Sequence, residues 1–382
     1  MIKNKDKGIT LIALVITIII LLILAGISIS ALTNQGLFKN AKAAQNATEK
    51  AEEEQGQRLN EYEDEINKYL NNANEDEKIG LITDNINKEL SKTDNTKLKD
   101  EKGNRIVVPA GFKIINGATT VDKGIVIEDV TETATKGSQF VWIPVGTITK
   151  SDGTTATITL GRYDFDSTTG KESAYSGSYI EEDTNDASTL KKWGNTIAKN
   201  ITKFKNSVAT NGGYYIGRYE ARTATARNAA GNALTQITEK GTENVYNYVT
   251  QLQAAQLSQN MYNNDNFTSD LMNSYAWDTA TVFIQNCGTN SKYSRQNSLN
   301  TSLSQTGTNS LTDTSKTDVQ CNIYDMASNI WEWTTETSFI SSFPCVIRGG
   351  SYGISHYYTS DRDGNGTSSS DGRRGFRPLL YL

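Results

Sequence analysis

A run from Ile9 to Ile29, ITLIALVITIIILLILAGISI, carries no charged residue and divides the chain before any fold is considered. At 1.5 Å per residue a helix of that length covers about 30 Å, the thickness of a bilayer's hydrocarbon core. The expectation is one transmembrane helix over 9–30. Ahead of it Lys3, Lys5 and Lys7 make a basic segment, which orients that end toward the cytoplasm and the rest of the chain outward. A secretory signal has a shorter apolar stretch and is cut after it; here the small residue, Gly8, stands before it.

A polar leader, residues 1–8, that ends in glycine directly ahead of a long apolar helix resembles the class III leader of type IV prepilins. The resemblance implies cleavage between Gly8 and Ile9 by a prepilin peptidase and packing with other pilins. It also implies a glutamate at the fifth mature position, where this chain has Ala13. Without that carboxylate, entry into a filament is in doubt, and a plain membrane anchor is the simpler alternative.

Beyond the apolar run, residues 31–104 read as a helical stalk and linker. Leu59, Tyr62, Ile66 and Tyr69 recur at spacings of three and four between polar residues, the pattern of an amphipathic helix. The acidic patch Glu49 to Glu54 reads as a solvated face. A second short helix is expected around Leu81, Ile82, Ile86 and Leu90, followed by a polar linker from Ser91 to Asn104.

From Arg105 the pattern turns to short β-branched and aromatic runs between turn residues: FKIING, GIVIED, QFVWIPVG and ATITLGRYDF. Leu190, Trp193, Ile197, Ile201, Phe204 and Val208 form a helical stripe, and the strand GGYYIGRYEAR (Gly212 to Arg222) comes next. TQLQAAQLSQNMY and SDLMNSYAWDTATVFIQN read as two more helices, ahead of a Ser/Thr/Asn-rich loop from Gly288 to Thr317. Strands with interspersed helices predict an α+β domain over 105–382. The net charge of −5 carries no basic stripe, so no nucleic-acid partner is expected. Cys287, Cys321 and Cys345 lack metal-ligand spacing. One disulfide, Cys287 with Cys321, and buried free thiols are equal alternatives.

The last sixty residues carry the densest pattern. CNIYDMASNIWEWTTE (Cys321 to Glu336) precedes VIRGGSYG (Val346 to Gly353), and GFRP (Gly375 to Pro378) closes the series. This series resembles the C-terminal core of the formylglycine-generating enzyme family, a variant of the C-type lectin fold. QFVWIPVG is similar to that family's opening strand, YYIGRYEA to a strand leading to its first helix, and the Trp277 region to a family helix. The resemblance implies a framework of Asn329, Trp331, Glu332, Trp333, Arg348 and Gly375 to Arg377, with Glu332 a candidate ligand of a structural calcium. It also implies two copper-binding cysteines after Arg-Gly-Gly-Ser. Ile354 and Thr359 stand there, so no oxidase chemistry and no catalytic residues are expected. The related sulfoxide synthases need several histidines, and the chain has one, His356.

Two further motifs depend on their context. GGSYG fits a nucleophile elbow around Ser351, yet the residues after Gly353 lack the helical period that motif requires. Asp361, Asp363, Asn365 and Gly366 give half of a calcium loop, with Gly372 where its final glutamate belongs. The segment after Ser351 instead reads as a binding surface. Tyr352, His356, Tyr357, Tyr358, Asp361, Arg362, Asp363, Asn365 and Arg373 bring together aromatic anchors, adaptable polar groups and guanidinium forks. That layout resembles variable proteins diversified by retroelements. The expected function is therefore a pilin-like cell-surface protein that binds a protein, peptide or glycan through a non-catalytic domain. A divergent oxidase and a structural minor pilin are the alternatives.

Overall fold

The computed structural model describes residues 11–34, 48, 55, 80–82, 86–88, 90–115, 117–183, 200–231, 236–262, 264–305 and 318–382. It divides into two compact units, Met1–Lys78 and Ile79–Leu382. Lys3, Lys5, Lys7, Gly8, Ile9, the acidic patch and the Leu59–Tyr69 stripe lie outside the described residues, as do Leu190, Trp193 and Ile197.

In the first unit, helix α1 spans Leu11–Asn34. Its side chains are described from Leu14 to Ile27, and all are exposed. Among the described residues no helix is long and apolar enough to cross a membrane.

The second unit is mixed α+β and mostly sheet, with α2 Ile201–Asn211, α3 Gln251–Met261 and α4 Ser274–Cys287. Its larger sheet contains β1 Phe112–Ile115, β2 Val126–Asp129, β3 Gln139–Pro144, β4 Gly213–Gly217, β5 Thr268–Leu271 and β10 Pro378–Tyr381. The strand order is β5-β10-β4-β3-β2-β1, antiparallel throughout. The last strand of the chain thus lies inside the sheet. The smaller sheet holds β6 Trp331–Thr337, β7 Cys345–Arg348, β8 Arg362–Asn365 and β9 Arg374–Phe376 in the order β8-β7-β6-β9. β9 runs parallel to β6, which brings the Gly-Phe-Arg segment beside Trp-Glu-Trp.

Local sequence sets the helix boundaries. Asn200 accepts from the Lys203 N–H, and Gly212 closes α2 at φ 74 with its N–H on the Val208 carbonyl. Thr250 and Gln253 cap α3 reciprocally, and Asn273 accepts from the Ala276 N–H at the start of α4. β3 and β4 are buried on both faces, which explains their unbroken hydrophobic runs. Phe204 of α2 meets Tyr214 at 5.2 Å and Tyr381 at 5.6 Å, edge to face, on one side of the sheet. The three cysteines are free, so the thiol alternative is the one the structure adopts; burial pushes Cys287 and Cys345 each up to about 12.

Four segments depart from the expectations. Gly80–Leu81 is a strand and Ile86–Lys88 a 3₁₀ turn rather than one helix. The Ser91–Asn104 linker is folded: Thr96–Lys99 pairs antiparallel with Arg105–Val108, and Asp100 Oδ1 accepts the Lys102 and Asn104 N–H groups in the turn. Ser269 to Leu271, expected in a helix, form β5, because the Asn273 cap delays α4 and β10 offers a sheet edge. The turn-rich segment after Ser351 includes β8.

Candidate functional site

β6 supplies the acids around which the site is built. Glu332 receives a two-pronged contact from Arg377, Nη2 to Oε1 at 2.7 Å and Nε to Oε2 at 3.1 Å, with both residues buried. Arg377 also donates to the Gly217 and Tyr324 carbonyls, which locks β6, β10 and β4 together. Farther along β6, Glu336 accepts from Arg348 Nη1 at 2.9 Å, Arg362 Nε at 2.8 Å and Arg162 Nη2 at 2.8 Å. Asp278 of α4 accepts from Arg348 Nη2 at 2.6 Å and also from Arg362.

Three guanidiniums therefore share two buried carboxylates. Burial alone would raise Glu336, but Arg362, Arg348 and Arg162 together hold its carboxyl well below the ordinary range. At Glu332 burial wins over Arg377 and the more weakly acting Arg222, and its carboxyl is raised.

Asn329 forms the second anchor, at φ 64 in the left-handed region that asparagine tolerates better than most residues. Its Nδ2 donates to Glu220 Oε2 at 2.6 Å and to the Ser304 carbonyl at 3.1 Å. Its Oδ1 accepts from Asn300 Nδ2 at 3.1 Å and from the Ser304 N–H at 2.8 Å. All four side-chain bonding positions are satisfied in a buried site.

Between these anchors the segment Ser351–Arg373 is held by its main chain. The Tyr352 N–H donates to Asn329 O at 2.8 Å and the Gly353 N–H to Asn300 O at 3.1 Å. Asn297 Nδ2 donates to Ser355 O at 2.7 Å. The Thr359 and Ser360 N–H groups donate to Gln296 O and Ser294 O. Trp277 Nε1 donates to Thr359 O at 2.8 Å and Arg348 Nε to Asp361 O at 2.9 Å. Backbone fixed in this way does not depend on the side chains of Tyr352, Ser355 and His356.

His356 and Arg373 are exposed, and Tyr352, Tyr357 and Tyr358 are half-buried. Tyr357 lies edge-on to Trp331 at 5.3 Å, beside His356 at 4.7 Å, with its hydroxyl 3.5 Å from Asp363 Oδ2. Burial, with Asp363 adding to it, raises the Tyr357 phenol. Arg373 sits 5.6 Å from the Tyr352 ring, and Arg295 stacks on Tyr358 at 3.8 Å. The structure brings His356, Tyr357 and Asp363 together beside Trp331, and pairs Arg373 with Tyr352.

Three expected ligand contacts are placed otherwise. Arg362 turns inward onto Asp278 and Glu336 with its side chain only 7% exposed, so it belongs to the frame. Asp361 Oδ2 accepts the Tyr358 N–H and closes a turn. Asn365 is buried, its Oδ1 accepting from Arg374 Nη2 at 2.7 Å. Asp363 and Asn365 lie in a strand, and three of the oxygens of the expected calcium loop, Asp361 Oδ2, Asp363 Oδ2 and Asn365 Oδ1, already have donors; they do not converge on a cation. Glu332 does not fit calcium either, since both its oxygens face a guanidinium. No group of three acidic, histidine or cysteine side chains among the described residues could hold a metal.

Trp331 and Arg374 escape a reading of the sequence as site residues. Trp331 reads as framework and Arg374 is hidden beside Arg373, yet its guanidinium lies 5.5 Å from the Trp331 ring at the patch.

No family model matches the chain, and none of the curated proteins does. Among solved structures it is similar to Treponema denticola variable protein 1, at 13% identity and a TM-score of 0.33, over 65% of this chain and 98% of that one. It is also similar to a Major Tropism Determinant M1 variant, at 12% identity and a TM-score of 0.28, over 79% of this chain and 74% of that one. At this level of similarity neither protein's properties transfer to this chain.

Proposed function

We propose that this is a non-catalytic ligand-binding protein of the cell surface, with a domain of the formylglycine-generating-enzyme, C-type-lectin type presenting the Ser351–Arg373 segment to a macromolecular ligand. The apolar N-terminal run anchors it in the membrane after processing between Gly8 and Ile9. One observation carries the binding reading: the main chain of Ser351–Arg373 is bonded to Asn329, Asn300, Gln296, Ser294, Trp277 and Arg348, while Tyr352, His356, Tyr357 and Arg373 face the surface. Rigid aromatic rings on a fixed backbone lose little conformational entropy on binding, which makes such a patch an efficient anchor. The absence of chemistry is supported by Ile354 and Thr359 at the positions of the resembled family's thiolates.

Diversification by a retroelement is consistent with side chains that can change without touching the frame. A near-copy of the C-terminal codons beside a reverse transcriptase gene tests it. The binding reading is tested by selecting short random peptides on the full-length chain in detergent micelles. Peptides whose affinity collapses in a Tyr352→Ala/Tyr357→Ala variant of unchanged melting temperature support it. Peptides that bind that variant equally well place recognition elsewhere and overturn it.

A further inference from the structure

A cleft of about 340 Å³ opens where the hairpin of Tyr163–Phe165 and Glu172–Ala174 meets the start of β8. The buried ion pairs fix its walls. The Tyr163 N–H donates to Asp278 Oδ2 at 2.8 Å, and the Tyr163 carbonyl accepts from Arg362 Nη1 at 3.2 Å. Arg162 Nη2 donates to Tyr179 O at 2.8 Å, the Tyr179 N–H to the Tyr175 hydroxyl at 3.0 Å, and the Ser360 N–H to Ser294 O at 3.1 Å. A cavity held in this way before its ligand arrives loses little freedom on binding.

Four aromatic residues, Tyr163, Phe165, Tyr175 and Tyr179, line the cleft, and all are half-buried, so each keeps part of its surface accessible. Polar groups with unused bonding capacity stand beside them. Arg295 lines the cleft, stacks on Tyr358 at 3.8 Å, and makes no side-chain hydrogen bond or ion pair among the described residues. Asp166, an acid that feels its charge, is bonded to Thr168 and Thr169 instead. Asp164 Oδ2 accepts from Ser176 and Asp361 Oδ2 from the Tyr358 N–H, which leaves Oδ1 of each without a donor among the described residues. The Ser178 and Ser360 hydroxyls also line the cleft without a bond.

Charge narrows the ligand class. Arg162, Arg348 and Arg362 share Glu336 and Asp278, so that network carries one positive charge in excess. Arg295 adds a second, and the lining carboxylates of Asp164 and Asp361 offset both. A neutral wall with separate donors and acceptors selects neither an anion nor a cation. It suits an uncharged molecule that offers both kinds of group at short spacing. A pyranose does so: each hydroxyl donates and accepts, and its C–H faces are apolar enough to lie against aromatic rings. An extended peptide would need main-chain partners along a strand edge, whereas the unused groups here belong to side chains. The volume lies at the small end of the roughly 300–1,000 Å³ of small-molecule sites, so the ligand is short or enters by one end.

We propose that this cleft binds a short neutral saccharide, or the end of a longer one, with Arg295 and the Asp164 and Asp361 carboxylates bonding its hydroxyls. Tyr352, His356, Tyr357 and Arg373 do not line it, so it is a second site and does not depend on theirs. The test uses the full-length chain in micelles of a detergent without a sugar headgroup. An array of neutral and acidic glycans is screened, and methyl glycosides of the sugars found are then titrated. Neutral glycans should bind saturably. Arg295→Gln removes the guanidinium fork and should weaken the best of them about tenfold, the size of one lost charge-assisted bond. Ser178 is exposed and lines the cleft, so Ser178→Trp fills the space without removing a structural contact and should abolish binding. The Tyr352→Ala/Tyr357→Ala variant should bind the saccharide as the parent chain does.

Binding unaffected by Ser178→Trp or by Arg295→Gln overturns the proposal, as does recognition of acidic glycans alone or of no glycan at all. Binding lost in Tyr352→Ala/Tyr357→Ala but kept in Ser178→Trp moves saccharide recognition to the other surface and overturns this cleft. Peptide selection through Tyr352 and Tyr357 succeeds or fails independently, so the two readings are told apart.

Discussion

Arg348 Nη2 donates to Asp278 Oδ1 at 2.6 Å with both side chains sealed from solvent, tying the smaller sheet to α4. The same arginine reaches Glu336 through Nη1 and the Asp361 carbonyl through Nε. One side chain thus joins a helix, a central strand and the loop that carries the candidate site. Arg-Gly-Gly-Ser is a structural pin on this account.

Replacing Arg348 by lysine removes the planar fork that bonds Asp278 and Glu336 together and leaves Arg362 alone to bridge the two buried carboxylates. The expected cost is about 3–5 kcal/mol. Denaturant unfolding should show a lower midpoint at unchanged slope. A change below about 1 kcal/mol would mean the carboxylates find other donors.

At Glu332 the partner is Arg377. Glu332→Gln should cost about 3 kcal/mol through the stranded guanidinium. Chelation should leave wild-type melting unchanged, whereas a calcium held at a hundred times its dissociation constant would contribute about 2.7 kcal/mol that EDTA removes.

Stability should peak in mildly acidic solution. Burial, with Asp318 adding to it, raises Asp325 from its ordinary 3.8 to about 7. Glu220, Glu239 and Asp318 are raised by burial as well. Between those values the folded state binds protons that the unfolded state has released, so stability falls as pH climbs from about 4 to 7. Glu336 acts oppositely: its lowered carboxyl contributes stability above the usual glutamate range that is lost on acidification. Melting temperature against pH should therefore crest near about pH 5. Asp325→Asn should flatten the alkaline side, and asparagine suits the φ of 58 at that position. An unchanged slope would show Asp325 ionised in the fold.

Asn329 combines a left-handed backbone with four side-chain bonds. Asn329→Ala should cost about 3 kcal/mol, and Asn329→Gly about 1 kcal/mol less, because glycine recovers the backbone term alone. Equal costs would assign the whole effect to the hydrogen bonds.

The sequence exposed the frame better than the patch. Trp333, Arg348, Glu332 and Arg377 are legible because their motif spacing survives whatever surrounds it, and α3 and α4 because their caps and apolar faces are local. Local pattern does not carry partners from far along the chain. Arg362 sits in a turn-rich run that reads as exposed, yet its acids lie in β6 and α4. Thr96–Lys99 and the segment from Ser269 to Leu271 read as linker and helix, and become strands because Arg105–Val108 and β10 offer edges. Asn365 and Arg374 gain their meaning from each other's geometry alone.

Saturating substitution of Tyr352, Ser355, His356 and Tyr357 in the displayed full-length chain, scored by protease resistance, tests the central claim most directly. If the main chain and its buried ion pairs hold this surface, most variants at these four positions remain folded, while substitutions at Asp278, Glu336, Arg348 and Arg362 in the same experiment do not. Equal intolerance at both sets would contradict the account, because the surface side chains would then be holding the fold.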